Sequence, residues 1–206
     1  GQNEGRLNDT LLSLEGSGHV AIPANLTDEK QLNLLVDSLV ELNGVVHCAG
    51  LTAHMPAQFI RAKNISTLFD VNFNVPLLLT ARLLKKKKFQ KSASIVFLSS
   101  IASKYPFFAG SIYSSTKAAI EAYSRTLAVE LAPKKIRSNC ILPAMVKTEM
   151  VEETEKTISK EALDKMERMY PLGFGEPVDV ANAVIFFLSD ASKWITGANL
   201  ALGGIQ

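Results

Sequence analysis

Cysteine is scarce in this 206-residue chain: there are two, Cys48 and Cys140, each inside an apolar strand-like segment. Two such residues cannot build a disulfide framework, and their surroundings predict buried thiols and a reducing compartment. Histidine is nearly as rare, with three residues at no mutual ligand spacing, so a metal site has no support. Charge of one sign is missing too, because 22 Lys and Arg stand against 20 Asp and Glu for a net +2. That balance gives no reason to expect a nucleic acid or a membrane surface as partner. The one basic cluster, residues 85–88, ends an apolar helical stretch and reads as a solvated helix end, where cations suit the dipole. No apolar run approaches the ~20 residues that span a bilayer, and no signal peptide is visible. The expected home is the cytoplasm.

What is present is a chain that is 47% hydrophobic, enough for a single domain with a substantial core. Strand-like and helix-like segments alternate along it. "HVAIPA" (19–24), "GVVHCAG" (44–50), "SIVFLSS" (94–100), "IRSNCIL" (136–142) and "ANLALGG" (198–204) read as strands. A helix is predicted after Thr27 or Asp28, either of which can cap it. A second helical pattern covers about 60–88, where Pro76 must kink or interrupt it. A third runs through 112–132 to Pro133, and a fourth starts at Pro177. Apolar strands alternating with helices predict a doubly wound parallel α/β sheet covered on both faces. The charged stretch 149–170 reads as a helical insertion with few core anchors, and so as a lid over a site.

The chemistry concentrates in "SSIASKYPFFAGSIYSSTK", residues 99–117. Tyr113 and Lys117 are four residues apart on a predicted helix and so point into the same space. Ser100 ends a buried strand, at the sheet edge where α/β proteins bind ligands. Any one of these residues alone reads as packing or solvated surface. Around them stand further motifs: "NLTD" (25–28), "HCAG" (47–50), "VNFNVP" (71–76, with Asn72) and "LPAMVKT" (142–148).

In this order and spacing the motifs resemble those of the short-chain dehydrogenase/reductase family, over nearly the whole chain. The resemblance implies an NADP- or NAD-dependent oxidoreductase that interconverts a ketone and a secondary alcohol. Its catalytic set would be Asn72, Ser100, Tyr113 and Lys117. A free phenol, with a pKa near ~10, is a poor acid/base at neutral pH, and a nearby Lys117 ammonium is expected to lower it. Ser100 would donate a hydrogen bond to the substrate oxygen as charge develops. Asn72 would hold a water that links Lys117 to solvent. The resemblance assigns Asn25 and Leu26 to the adenine end of the cofactor, Ala49 and Gly50 to its ribose, and Pro143, Val146 and Thr148 to the nicotinamide. His47 is expected to be a packed strand residue.

The chain also departs from the family. The glycine-rich phosphate loop is absent, so the sequence is expected to begin at the end of the family's second strand, with a first strand missing. Gly1 and Gln2 then occupy the positions that select the cofactor, and the lack of an acid there favours NADP. Ala144 stands where glycine is usual, which is tolerable only if the backbone stays out of positive φ. Ile101, Ala102, Phe107 and Phe108, with Ser100 and Tyr113, are expected to line an apolar substrate pocket. That pocket suits an acyl or lipid-like ketone, and among family members the nearest are the 3-oxoacyl-[acyl-carrier-protein] reductases, whose substrate is carrier-linked. The resemblance further implies a homodimer or homotetramer. A non-catalytic scaffold or nucleotide-binding regulator is the alternative.

Overall fold

The apolar runs at Leu42–His47 (β1), Phe89–Leu98 (β2), Arg137–Pro143 (β3) and Asn199–Leu202 (β4) form one sheet in the order β1-β2-β3-β4. The computed structural model describes residues 1–148, 164–165 and 167–204. Every neighbouring pair of strands is parallel. Parallel strands need crossovers, and the helices supply them. Ala62–Phe69 (α3) and Val75–Lys85 (α4) lie between β1 and β2, Ser111–Leu131 (α5) between β2 and β3, and Pro177–Leu188 (α6) between β3 and β4, while Glu4–Ser13 (α1) and Glu29–Ser38 (α2) precede β1.

Successive side chains of a strand point to opposite faces, and both faces here are filled. Ile95 and Phe97 of β2 pack with Ile120, Leu127 and Leu131 of α5. Val96, between them, packs with Ile141, Ala183 and Phe187 on the α6 side. The result is the predicted three-layer, doubly wound α/β fold. It explains why the central strands read as unbroken apolar runs.

Local signals set the helix ends. Asp28, one of the two predicted caps, accepts hydrogen bonds from the Lys30 and Gln31 N–H groups at 2.8 and 3.1 Å. Pro76 interrupts the long helical pattern as predicted, through a five-residue π turn at Asp70–Asn74 between α3 and α4. Pro76 has no N–H to close an α-type bond to the Asn72 carbonyl, so the chain widens there.

Three expectations need correction. Residues 19–24 form no strand, because the segment finds no strand to pair with among the described residues. Its Ala24 N–H donates instead to the Gly1 carbonyl at 2.8 Å. Cys48 is exposed, since β1 ends one residue before it, whereas Cys140 is buried as predicted. The lysine run is more than a solvated end: Lys86 pairs with Asp37 at 2.9 Å, and the Lys88 ammonium donates to the Leu39 carbonyl.

The predicted lid lies mostly outside the described residues, which exclude 149–163 and 166. Its base is described. Val146 bridges to Gly175, and the Lys147 ammonium lies 3.8 Å from Glu167 and 3.6 Å from Glu176. No described helix is long and apolar enough to cross a membrane.

Candidate active site

Leu98 is the last residue of β2, which leaves Ser99 and Ser100 at the sheet's C-terminal edge. Ser100 is extended (φ −163°) and caps a short 3-10 turn, its Oγ accepting from the Ala102 N–H at 3.2 Å. α5 begins at Ser111, so Tyr113 lies in its first turn and Lys117 one turn on, above the same edge. The Ser100 hydroxyl lies on the Tyr113 side of the same edge and favours the ionised phenol. Lys117, 7% exposed, donates from Nζ to the Leu98 carbonyl at 2.8 Å and lies 5.6 Å from the Tyr113 ring centroid.

The electrostatics differ from the expectation. Burial raises Tyr113 above the usual phenol range, and the nearby Ser100 hydroxyl only partly opposes it. Burial also lowers Lys117 to about 8. The ammonium is desolvated and turned toward the Leu98 carbonyl, so it does not pull the phenol down as predicted. In this arrangement the phenol holds its proton.

Asn72 is 3% exposed and its side chain is fully engaged. Its Oδ1 accepts from the Leu51 N–H at 2.7 Å, and its Nδ2 donates to the Leu51 carbonyl at 2.9 Å and to Thr116 Oγ1 at 3.1 Å. Thr116 Oγ1 in turn donates to the Tyr113 carbonyl at 2.7 Å. The amide therefore clips the turn after β1 to the helix that carries Tyr113. It has no hydrogen left for a water, and the backbone carbonyl that Pro76 leaves without its α-type donor is the better water acceptor.

One apolar cleft of about 630 Å³ gathers Gly50, Ser100, Tyr113, Lys117, Pro143, Val146 and Thr148. Asn25, Leu26 and Ala49 do not line it. Asn25 Oδ1 accepts from Gln2 Nε2 at 3.0 Å and from the Thr27 hydroxyl at 2.8 Å, closing a local turn. The expected substrate wall also changes. Ile101 and Ala102 are buried, Ile101 within the α5-side core, while Phe108 is 87% exposed. Phe107 stays beside the site, its ring 6.4 Å from that of Tyr113 and 5.3 Å from that of His54. His47 is packed as predicted, stacked on Phe97.

The opposite wall, Val180, Val184 and Ile185 of α6, was not foreseen. The signal was there: a helix apolar on several faces covers more than its own sheet. Ala144 keeps a negative φ, as its substitution for glycine requires. Gly203, at φ +87°, faces it closely, and a methyl built on Gly203 would lie 2.7 Å from Ala144 Cβ.

A family model described as enoyl-(acyl carrier protein) reductase matches residues 2–204. The chain belongs to the short-chain dehydrogenase/reductase family. A solved short-chain dehydrogenase/reductase from Brucella melitensis, titled a glucose/ribitol dehydrogenase, superposes with a TM-score of 0.88 at 26% identity. That match covers 100% of this chain and 84% of the other. The 3-oxoacyl-[acyl-carrier-protein] reductase of Thermotoga maritima is 30% identical over 87% of this chain and 74% of its own length. A chloroplastic tropinone reductase homolog of Arabidopsis thaliana is 32% identical over 98% of this chain, which spans 65% of that protein. This short-chain dehydrogenase/reductase chain thus shares the family's NAD(P)-dependent oxidoreductase scaffold, with the serine, tyrosine and lysine converging at its sheet edge.

Proposed function

We propose that the protein interconverts a ketone and a secondary alcohol with NADP(H) or NAD(H). The observation that carries this reading is the convergence of Ser100, Tyr113 and Lys117 on one cleft. The cleft suits the nicotinamide end of the cofactor: Pro143, Val146 and Thr148 would take the ring, and Lys117 and Tyr113 the ribose. When bound, the cofactor supplies or accepts the hydride. The chain does the rest. Ser100 donates to the substrate oxygen as negative charge grows there, and Tyr113 delivers the proton. Lys117 holds a cation near the phenolate left behind, and the Asn72 carbonyl holds a water for reprotonation.

The apolar lining of the cleft supports an acyl ketone, a 3-oxoacyl thioester on an acyl carrier being one such substrate. NADP is the preferred cofactor in this reading, because Gln2 and Asn25, hydrogen-bonded to each other, place no negative charge where a 2′-phosphate would lie. The free thiols fit the cytoplasm. The test is a panel of 3-oxoacyl thioesters and cyclic ketones, followed by the absorbance of NADPH and of NADH. Oxidation of NADPH by an acyl ketone is expected. No turnover by any carbonyl with either cofactor would leave the scaffold reading instead.

Assembly belongs to the same reading. α5 exposes a stripe of small residues, Ser111, Ser115, Ala118 and Ala122, ending at Val129, which is 76% exposed. Such a face allows two helices to approach closely, and a homodimer or homotetramer is expected. A monomer by light scattering at micromolar concentration would contradict it.

A further inference from the structure

We propose that Glu121 is a positioning residue: it locks the strand end that carries Ser100 to the helix that carries Tyr113 and Lys117. The proposal rests on the ketone/alcohol reading of the site. Glu121 lies one turn beyond Lys117 on α5, so Tyr113, Lys117 and Glu121 share a helix face. It is 5% exposed, a costly place for a carboxyl group unless its oxygens are used. Both are. Ser99 Oγ donates to Oε1 at 2.8 Å, and Asn199 Nδ2 donates to Oε2 at 2.7 Å.

These contacts join three elements at one buried point. Ser99 immediately precedes Ser100, and its N–H is held by the Ile141 carbonyl of β3 at 2.8 Å. Its Oγ also lies 3.1 Å from the Lys117 carbonyl, so the hydroxyl is shared between the helix backbone and Glu121. Asn199 begins β4 and pairs in register with Cys140 of β3. Glu121 therefore ties β2, α5 and β4 together one residue behind Ser100 and one turn behind Lys117. A slip of a few tenths of an ångström here is carried by one peptide unit into the spacing between Ser100 and the phenol.

Asn199 gives the proposal a distinctive signature. Its Oδ1 is buried and has no hydrogen-bond partner. In Glu121→Gln, a flip of the Asn199 amide would turn that oxygen to the new N–H₂ group and restore the clip. Glu121→Ala has no such repair. Ser99→Ala removes the same clip with the smallest loss of volume, and carries the test if Glu121→Ala does not fold.

The experiment uses the full chain and a ketone that the wild type reduces. Glu121→Ala and Ser99→Ala are expected to lower kcat about tenfold or more, with KM within about twofold of wild type. Glu121→Gln is expected to stay within about threefold. A fall in Tm with kcat unchanged in Glu121→Ala and Ser99→Ala would reduce the residue to a structural one and overturn the proposal. A Glu121→Gln protein as slow as Glu121→Ala overturns it as well. If the wild type reduces no ketone, the functional reading fails, and a second readout decides positioning alone. In protein labelled with ¹³Cζ-tyrosine, the Tyr113 resonance is identified by its loss in Tyr113→Phe. It should move in Glu121→Ala and Ser99→Ala and stay in place in Glu121→Gln. A resonance unmoved in all three overturns the positioning role.

Discussion

A Tyr113→Phe protein is expected to turn over about 10²-fold or more slowly than wild type, with its fold intact. The change removes one hydroxyl and leaves the ring. The ring's neighbours, Phe107 at 6.4 Å and the Lys117 ammonium at 5.6 Å, keep their packing. What disappears is the hydroxyl proposed as proton donor, next to Ser100 at the sheet edge. Because burial raises this phenol above its usual range, the proton stays on it across the neutral range. Ketone reduction consumes that proton, and alcohol oxidation returns it. Steady-state turnover beside far-ultraviolet circular dichroism checks both halves of the expectation, and unchanged turnover would remove Tyr113 from the mechanism.

The second large effect concerns stability in acid. His47 is 8% exposed, stacked on Phe97 at 4.7 Å with its rings 5° from parallel, and 3.0 Å from the Thr80 hydroxyl. Burial pushes its pKa down to about 4, against ~6.5 in an unfolded chain. Between those values the unfolded chain binds a proton that the folded protein refuses. The stabilisation is therefore complete above about pH 6.5 and is lost as the pH falls toward 4, by about 3 kcal/mol in all. Urea unfolding of wild type and His47→Gln at several pH values between 4 and 7 isolates the contribution. The variant keeps a partner for Thr80 but cannot titrate, so its stability should fall less steeply. Parallel slopes for the two proteins would show that His47 charges as freely inside the fold as outside it.

Periodicity was enough to find the sheet. β3 and the second half of β2 are buried on both faces, and such strands announce themselves as apolar runs. It failed at 19–24, where the residues suit a strand but no neighbour pairs with them: β-structure is a property of two segments, and a single segment cannot reveal its partner. Spacing brought Tyr113 and Lys117 together because a helix repeats every 3.6 residues. Ser100 lay at a strand end that the run "SIVFL" marked. The Asn72 contacts were not legible, because an amide reads the same whether it holds water or clips a turn to a helix. The same holds for the phenol. A lysine four residues on suggested a lowered pKa, but burial of both groups, which the sequence does not display, outweighs it. The wall from α6 lay more than sixty residues from Tyr113 in the chain, and only the crossover brings it over the cleft.

The contact between Ala144 and Gly203 shows how two distant positions share a single methyl group's worth of room. β3 ends at Pro143 and β4 at Leu202, and the chains diverge one residue later with the Ala144 side chain between them. The space admits one carbon, and the sequence has given it to position 144. The division is lopsided. Position 203 cannot take the carbon even if position 144 gives it up, since a left-handed backbone would still oppose a side chain there. Position 144 can be emptied, and its alanine methyl, half-exposed on the wall of the cleft, takes up room that glycine would leave to the cleft. It also removes backbone freedom from the stretch leading to Val146 and Thr148. The substitution thus leaves this edge of the cleft stiffer than glycine would, at the point where the chain turns from the sheet toward Val146 and Thr148.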